Sequence, residues 1–256
     1  MNTPVVDFVR RYGESGISRL HMPGHKGQPF LGFESWDITE IQGADALFEA
    51  EGILRESEEN ATGLFGSRRT FYSTEGSSHC IRAMLYLALT NRPAGAAPLV
   101  VAARNVHRAF VSAAALLDLE VAWLWPEESR SLCGCPISPR QLEETLKCLP
   151  APPAAVYLTS PDYLGGMGEI AALSQVCHRF GTLLAVDNAH GAELQFTPEN
   201  RHPMHLGADL CCDSLHKTLP VLTGGAMLHV GDTPLTRQHG FVRNAKDAMH
   251  LFGSTS

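Results

Sequence analysis

Short runs of wholly apolar residues recur along the chain, each followed by a polar cluster and then by a segment of helical periodicity. Leu99-Val100-Val101-Ala102, Val121-Ala122-Trp123-Leu124, Ala154-Ala155-Val156-Tyr157-Leu158, Leu183-Leu184-Ala185-Val186 and Leu210-Cys211-Cys212 are such runs. They are too short for buried helices, and they lack the alternation of a strand with one face in water. They predict strands buried on both faces, in a mostly parallel sheet covered by helices on both sides, an α/β fold. Arg69–Tyr72 reads as an earlier strand and Gly225–Val230 as the last.

Helical segments fall between and around the runs. Thr3 with Pro4 opens a short amphipathic helix to about Tyr12, and Ile53–Phe65 is a helix stopped by Gly66. Others are predicted around Ile81–Ala88, over Ala109–Leu117, from Ser138-Pro139 to Cys148, and over Ile170–Phe180. After Gly231-Asp232 a helical pattern through Leu235, Phe241, Val242, Ala245, Ala248 and Leu251 runs almost to the end, with little chain beyond it to pack against. His21-Met22-Pro23-Gly24-His25-Lys26-Gly27 is too rich in Gly, Pro and His for regular structure and reads as a surface turn with solvated histidines.

Two polar clusters leave the buried runs at the edge where open α/β sheets bind ligands. Val186 is followed by Asp187-Asn188-Ala189-His190-Gly191, and Cys212 by Asp213-Ser214-Leu215-His216-Lys217. A carboxylate and an amine delivered to one edge suit a cofactor that needs an acid for a ring nitrogen and a lysine for a Schiff base, namely pyridoxal phosphate. The structural alternative is a buried Asp–Lys ion pair with two capping histidines. Upstream, Gly76-Ser77-Ser78 lies between a strand and a helix, where free N–H groups and the helix dipole suit a phosphate, although serine at an N-cap needs no ligand.

A formal net charge of −7 argues against a nucleic-acid surface and is compatible with a cationic substrate. The seven cysteines show no CxxC spacing, and Cys133-Gly134-Cys135 lacks two further ligands, so reduced thiols are expected rather than disulfides or a metal site. The early charges predict no signal peptide and no apolar run reaches membrane length, so a soluble cytoplasmic protein is expected.

With these pieces in order, the sequence resembles the major domain of the Orn/Lys/Arg decarboxylase family, within the aspartate-aminotransferase superfamily of pyridoxal-phosphate enzymes. The resemblance covers nearly the whole chain. It is carried by His21–Gly27, Thr70-Phe71-Tyr72 with Gly76-Ser77-Ser78, Arg104-Asn105-Val106-His107, Thr159-Ser160-Pro161, Val186–Gly191, and Ser214–Pro220 with Ala226–Val230. It implies a decarboxylase of lysine, arginine or ornithine giving a polyamine-type product, and a homodimer. Residues 1–50 would form an N-terminal helix and irregular segment, and 51–256 the cofactor-binding major domain.

The roles it implies are specific. Lys217 would form the internal aldimine and move protons at the substrate α-carbon, with its pKa lowered by burial among cofactor atoms. Asp187 would keep the pyridine nitrogen protonated, and His107 would stack on the ring. Gly76, Ser77 and Ser78 would hold the phosphate; Ser214 and His216 would add contacts beside the lysine; His190 would sit close to the ring. No metal is implied.

The sequence also departs from the family's pattern. Glu75 replaces an asparagine before the phosphate-loop glycine, His79 and Cys80 replace small residues, Asn188 stands where Glu or Ser is common, and Gly224-Gly225 replaces a Gln-Ser type pair. The chain stops at Ser254-Thr255-Ser256, inside a motif that leads to a smaller C-terminal domain, so a truncated major domain is expected. Other pyridoxal-phosphate chemistry, such as transamination, and an inactive fragment acting only in binding or dimerisation are the alternatives.

Overall fold

A computed structural model describes residues 2–92, 96–128, 131–238 and 240–254. Thr255 and Ser256, the last residues of the Ser254-Thr255-Ser256 match, lie outside them. The chain forms two compact units, Met1–Leu64 with Ser254–Ser256, and Phe65–Gly253.

In the first unit, α1 (Pro4–Glu14) has proline at its first position, and Thr3 Oγ1 donates to Asp7 Oδ1 at 3.0 Å. Residues 15–52 are turns and irregular backbone, the His21–Gly27 stretch included. Asp45 organises the entry to α2 (Ile53–Phe65). Its carboxylate accepts from the N–H groups of Gly52 at 2.8 Å and Leu54 at 3.0 Å, and from those of Ala46 and Glu51. Burial raises its pKa, but these donors outweigh it and hold the carboxyl below its usual value.

The second unit is built on one seven-stranded sheet, order β1-β7-β6-β5-β4-β2-β3. Its strands are β1 (Arg69–Ser73), β2 (Leu99–Ala103), β3 (Glu120–Leu124), β4 (Ala155–Thr159), β5 (Leu183–Asp187), β6 (Leu210–Asp213) and β7 (Ala226–Val230). Strands β3, β2, β4, β5 and β6 are parallel, while β7 runs antiparallel to both β6 and β1. Two reversals restore direction, so β1 also points its carboxyl end to the edge where β2, β4, β5 and β6 end.

Helices α3 (Ser77–Thr90), α4 (Arg108–Leu116) and α8 (Phe241–Phe252) cover one face; α5 (Pro139–Cys148) and α6 (Ile170–Arg179) cover the other. The alternation along β5 shows why the run is apolar throughout. Leu183 and Ala185 belong to the core beneath α3, α4 and α8, whereas Leu184 and Val186 belong to the core beneath α5 and α6. The mostly parallel α/β architecture expected from the sequence is the one observed.

The C-terminal helix is shorter than its pattern and better packed than expected. Thr233 and Thr236 form a buried hydroxyl turn and Gly240 takes φ +84, so the helix begins only at Phe241. Phe241, Ala245, Ala248 and Met249 are buried in the core shared with α3, so this helix has a partner within its own unit. Among the described residues, no helix is long and apolar enough to cross a membrane.

Candidate active site

Asp187 follows Val186, so alternation turns it toward the face covered by α3 and α4. It is buried at 2 % exposure. Tyr157 Oη donates to Oδ2 at 3.2 Å, and Oδ1 accepts from Ala189 N–H at 3.2 Å and the Cys212 thiol at 3.6 Å. None of these donors carries a charge. Desolvation raises the Asp187 pKa above its ordinary value; Ala189 N–H, the Tyr157 hydroxyl and the nearby His107 and Lys217 pull the other way without overcoming it.

Strand β6 delivers Ser214 and then α7 (Leu215–Thr218), a single helical turn that carries Lys217. Lys217 Nζ lies 3.2 Å from His190 Nε2. Burial, and after it the Lys217 charge, lower the His190 pKa, so its neutral ring accepts from the ammonium. The Lys217 side chain is exposed. His190 stands edge-on to Tyr163, ring centroids 4.6 Å apart.

Asp187, Lys217, His190, His107 and Ser77 line one crevice, joined by Thr159, Tyr163 and Ala189. His107 is fixed by its own helix: as N-cap of α4 its Nδ1 accepts from Ala109 N–H at 3.1 Å, which leaves Nε2 as the nitrogen that carries hydrogen. Ser77 is the first residue of α3, after Gly76 at φ +73, a left-handed conformation that favours glycine.

The other expected residues stand one step back. Gly76 N–H donates to Gly224 O at 2.8 Å, and Ser214 Oγ donates to Ser77 Oγ at 2.7 Å. His216 Nδ1–H donates to Gly225 O at 3.0 Å, which closes the loop after Lys217. Ser78 is half-buried and, like Gly76, Ser214 and His216, does not line the crevice. Glu75 is exposed and is likewise not a lining residue.

Sequence reasoning missed Tyr157 as the Asp187 donor and Thr159 as a wall of the crevice. Tyr157 reads as one more apolar member of its run. Thr159 was signalled by its place at the carboxyl end of β4, in register with Asp187.

A second buried cluster lies on the opposite face. Asp213 Oδ2 accepts from His202 Nε2 at 2.9 Å and His229 Nε2 at 3.1 Å, and Oδ1 accepts from Asn188 Nδ2 at 2.7 Å. Burial raises the Asp213 pKa, but the two histidines outweigh it and hold it well below the carboxylate range. Ligand atoms of His202, Cys211 and Asp213 lie within 4.8 Å of one another, a convergence the sequence did not reveal. Their hydrogen-bonding capacity is already engaged: His202 Nδ1 accepts from Met204 N–H at 3.3 Å and the Cys211 thiol points to Asp213 at 3.7 Å.

A match over residues 3–256 to the family described as Orn/Lys/Arg decarboxylase, major domain, decides the classification. The chain belongs to that family. This decarboxylase-family chain is 28% identical over 244 residues to the uncharacterized protein YaaO of Bacillus subtilis, covering 91% of this chain and 50% of YaaO. It is 28% identical over 241 residues to an arginine decarboxylase of Halalkalibacterium halodurans, covering 89% and 48%. Its fold matches lysine decarboxylase A from Pseudomonas aeruginosa with a TM-score of 0.79 at 19% identity, over 99% of this chain and 38% of that one. The family chain thus spans about half the length of the curated relatives it matches.

The crevice suits a pyridine cofactor bearing a phosphate. Asp187 is a desolvated carboxylate with only uncharged donors, suited to a protonated ring nitrogen. Thr159 Oγ1 and His190 Nδ1 are buried polar atoms without a protein partner among the described residues, and both residues line the crevice. Ser77 and the first N–H groups of α3 suit the anion.

Proposed function

We propose that this chain carries the catalytic centre of a pyridoxal-phosphate-dependent decarboxylase of a basic amino acid, lysine, arginine or ornithine, with Lys217 as the Schiff-base lysine. The observation that supports it most is the meeting of Asp187, the last residue of β5, and Lys217, on the turn that follows the adjacent β6, in a crevice that also holds the N-terminus of α3. The names of the relatives, arginine and lysine decarboxylases, favour a basic substrate, and the net charge of −7 is compatible with one.

When bound, the cofactor supplies the electron sink for cleavage of the bond to the α-carboxylate. Asp187 would accept the ring N–H, and the cation so gained offsets the desolvation that now raises its pKa. Ser77, steadied by Ser214, would donate to the phosphate with the α3 N–H groups. His107, its orientation fixed through Ala109, would cover one ring face. Lys217 Nζ is the nucleophile, and His190 Nε2 can take or return the proton held at Nζ.

The test is carbon dioxide release by the purified chain, supplied with pyridoxal phosphate, from L-lysine, L-arginine and L-ornithine in turn. Release from at least one, abolished in Lys217→Ala, is expected. Keto-acid formation without carbon dioxide contradicts the decarboxylase reading.

A further inference from the structure

His79, the third residue of α3, is 5 % exposed and bonds at both ring nitrogens. Nε2 is 2.8 Å from the Met249 carbonyl and Nδ1 is 2.8 Å from Ser73 Oγ. A carbonyl only accepts, so the hydrogen is on Nε2 and Nδ1 accepts from the serine hydroxyl. Ser73 Oγ in turn accepts from Glu75 N–H at 3.1 Å. An unbroken line of donors therefore runs from the loop before Gly76-Ser77, through His79, to the last turn of α8.

Both ends of that line are places where backbone groups need partners. Met249 is in the final turn of α8, whose carbonyls have no intrahelical donor. Gly253 records how closely the chain wraps the ring: a Cβ there would stand 2.8 Å from His79 Cε1 and 2.9 Å from Met249 O. Leucine at position 79 would fill the volume and make neither bond.

We propose that His79 is a positioning residue that uses the end of α8 to hold the Ser73–Ser77 loop in the shape that presents Ser77 and the α3 N–H groups to a phosphate. The inference rests on the cofactor reading above and adds to it that phosphate affinity is set partly from the C-terminal helix. Two aldehydes separate this role from a general one: pyridoxal phosphate carries the anion, and pyridoxal does not.

Covalent capture of each aldehyde by wild type, His79→Leu and Gly253→Ala is followed by borohydride reduction and mass spectrometry across a concentration series. Both variants are expected to need roughly tenfold more pyridoxal phosphate, the scale of one or two lost hydrogen bonds, with capture of pyridoxal unchanged. Equal losses for the two aldehydes, or none, overturn the proposal while leaving the cofactor reading intact. Wild type that captures neither aldehyde defeats the cofactor reading and this inference with it. Amide hydrogen exchange without cofactor checks the coupling directly: His79→Leu is expected to speed exchange at Glu75, Gly76 and Ser77, and unchanged rates there also overturn it.

Discussion

Asn188 Nδ2 donates to Asp213 Oδ1 across 2.7 Å and so ties the strand end that presents Asp187 to the strand end that leads to Lys217. Asp187 turns to the α3 and α4 side, while Asn188, one residue on, turns to the other and meets Asp213. The departure from the family's usual residue at 188 thus has a structural partner. Asp213, further held by His202 and His229, is the fixed point behind both candidate groups.

Replacing Asp213 tests that role. Asp213→Ala leaves three buried nitrogen donors and the Cys211 thiol without their acceptor and is expected to cost about 3 kcal/mol or more of unfolding free energy, read from urea denaturation. A loss under about 1 kcal/mol contradicts the network as drawn.

Tyr157→Phe removes one of the uncharged donors to Asp187. Its hydroxyl helps hold the carboxyl down, so the Asp187 pKa, already raised by burial, is expected to rise further. Carbon-13 NMR of labelled aspartate reads this directly, and a stability cost of about 1 kcal/mol accompanies it.

Gly224→Ala is expected to disturb the phosphate turn from outside the crevice. Gly224 has φ +98, and a Cβ would stand 2.4 Å from Thr74 O. Its own carbonyl holds Gly76 N–H at 2.8 Å. A destabilisation above about 1 kcal/mol with weaker capture of pyridoxal phosphate is expected. A variant indistinguishable from wild type contradicts the account of this glycine.

Acid should destabilise the fold from about pH 6.5, the ordinary histidine value, downward. His79 and His229 are buried; desolvation lowers both pKa values, although bonds to Met249 and Asp213 respectively work the other way. Between each lowered folded-state pKa and 6.5 the unfolded chain binds more protons than the native one, so stability falls as pH falls. Thermal midpoints from pH 8 to 5 check this, and His79→Gln is expected to flatten the slope.

The fold was legible because two-sided burial leaves a distinctive record in short apolar runs such as Leu183–Val186. Asp187 and Lys217 were legible because strands of that kind deliver whatever follows them to one edge. What the residues touch was not. His216 reads like a cofactor contact, and its Nδ1–H bond to the Gly225 carbonyl could not be read from the sequence. His79 and Gly224 read only as departures from a pattern, since their partners, Met249 and Thr74, are set by tertiary packing. The packing of α8 was hidden too, because a helical stripe does not name the helix that covers it.

If Lys217 and Asp187 form one cofactor site, both must govern where and how readily pyridoxal phosphate is captured. The most direct measurement is borohydride reduction of the chain with pyridoxal phosphate, followed by peptide mapping of wild type and Asp187→Ala. One pyridoxyl group is expected, on Lys217, captured at markedly higher concentration when Asp187 is removed. A label on Lys26, Lys147 or Lys246 in its place, or capture at Lys217 indifferent to Asp187, would contradict a shared site.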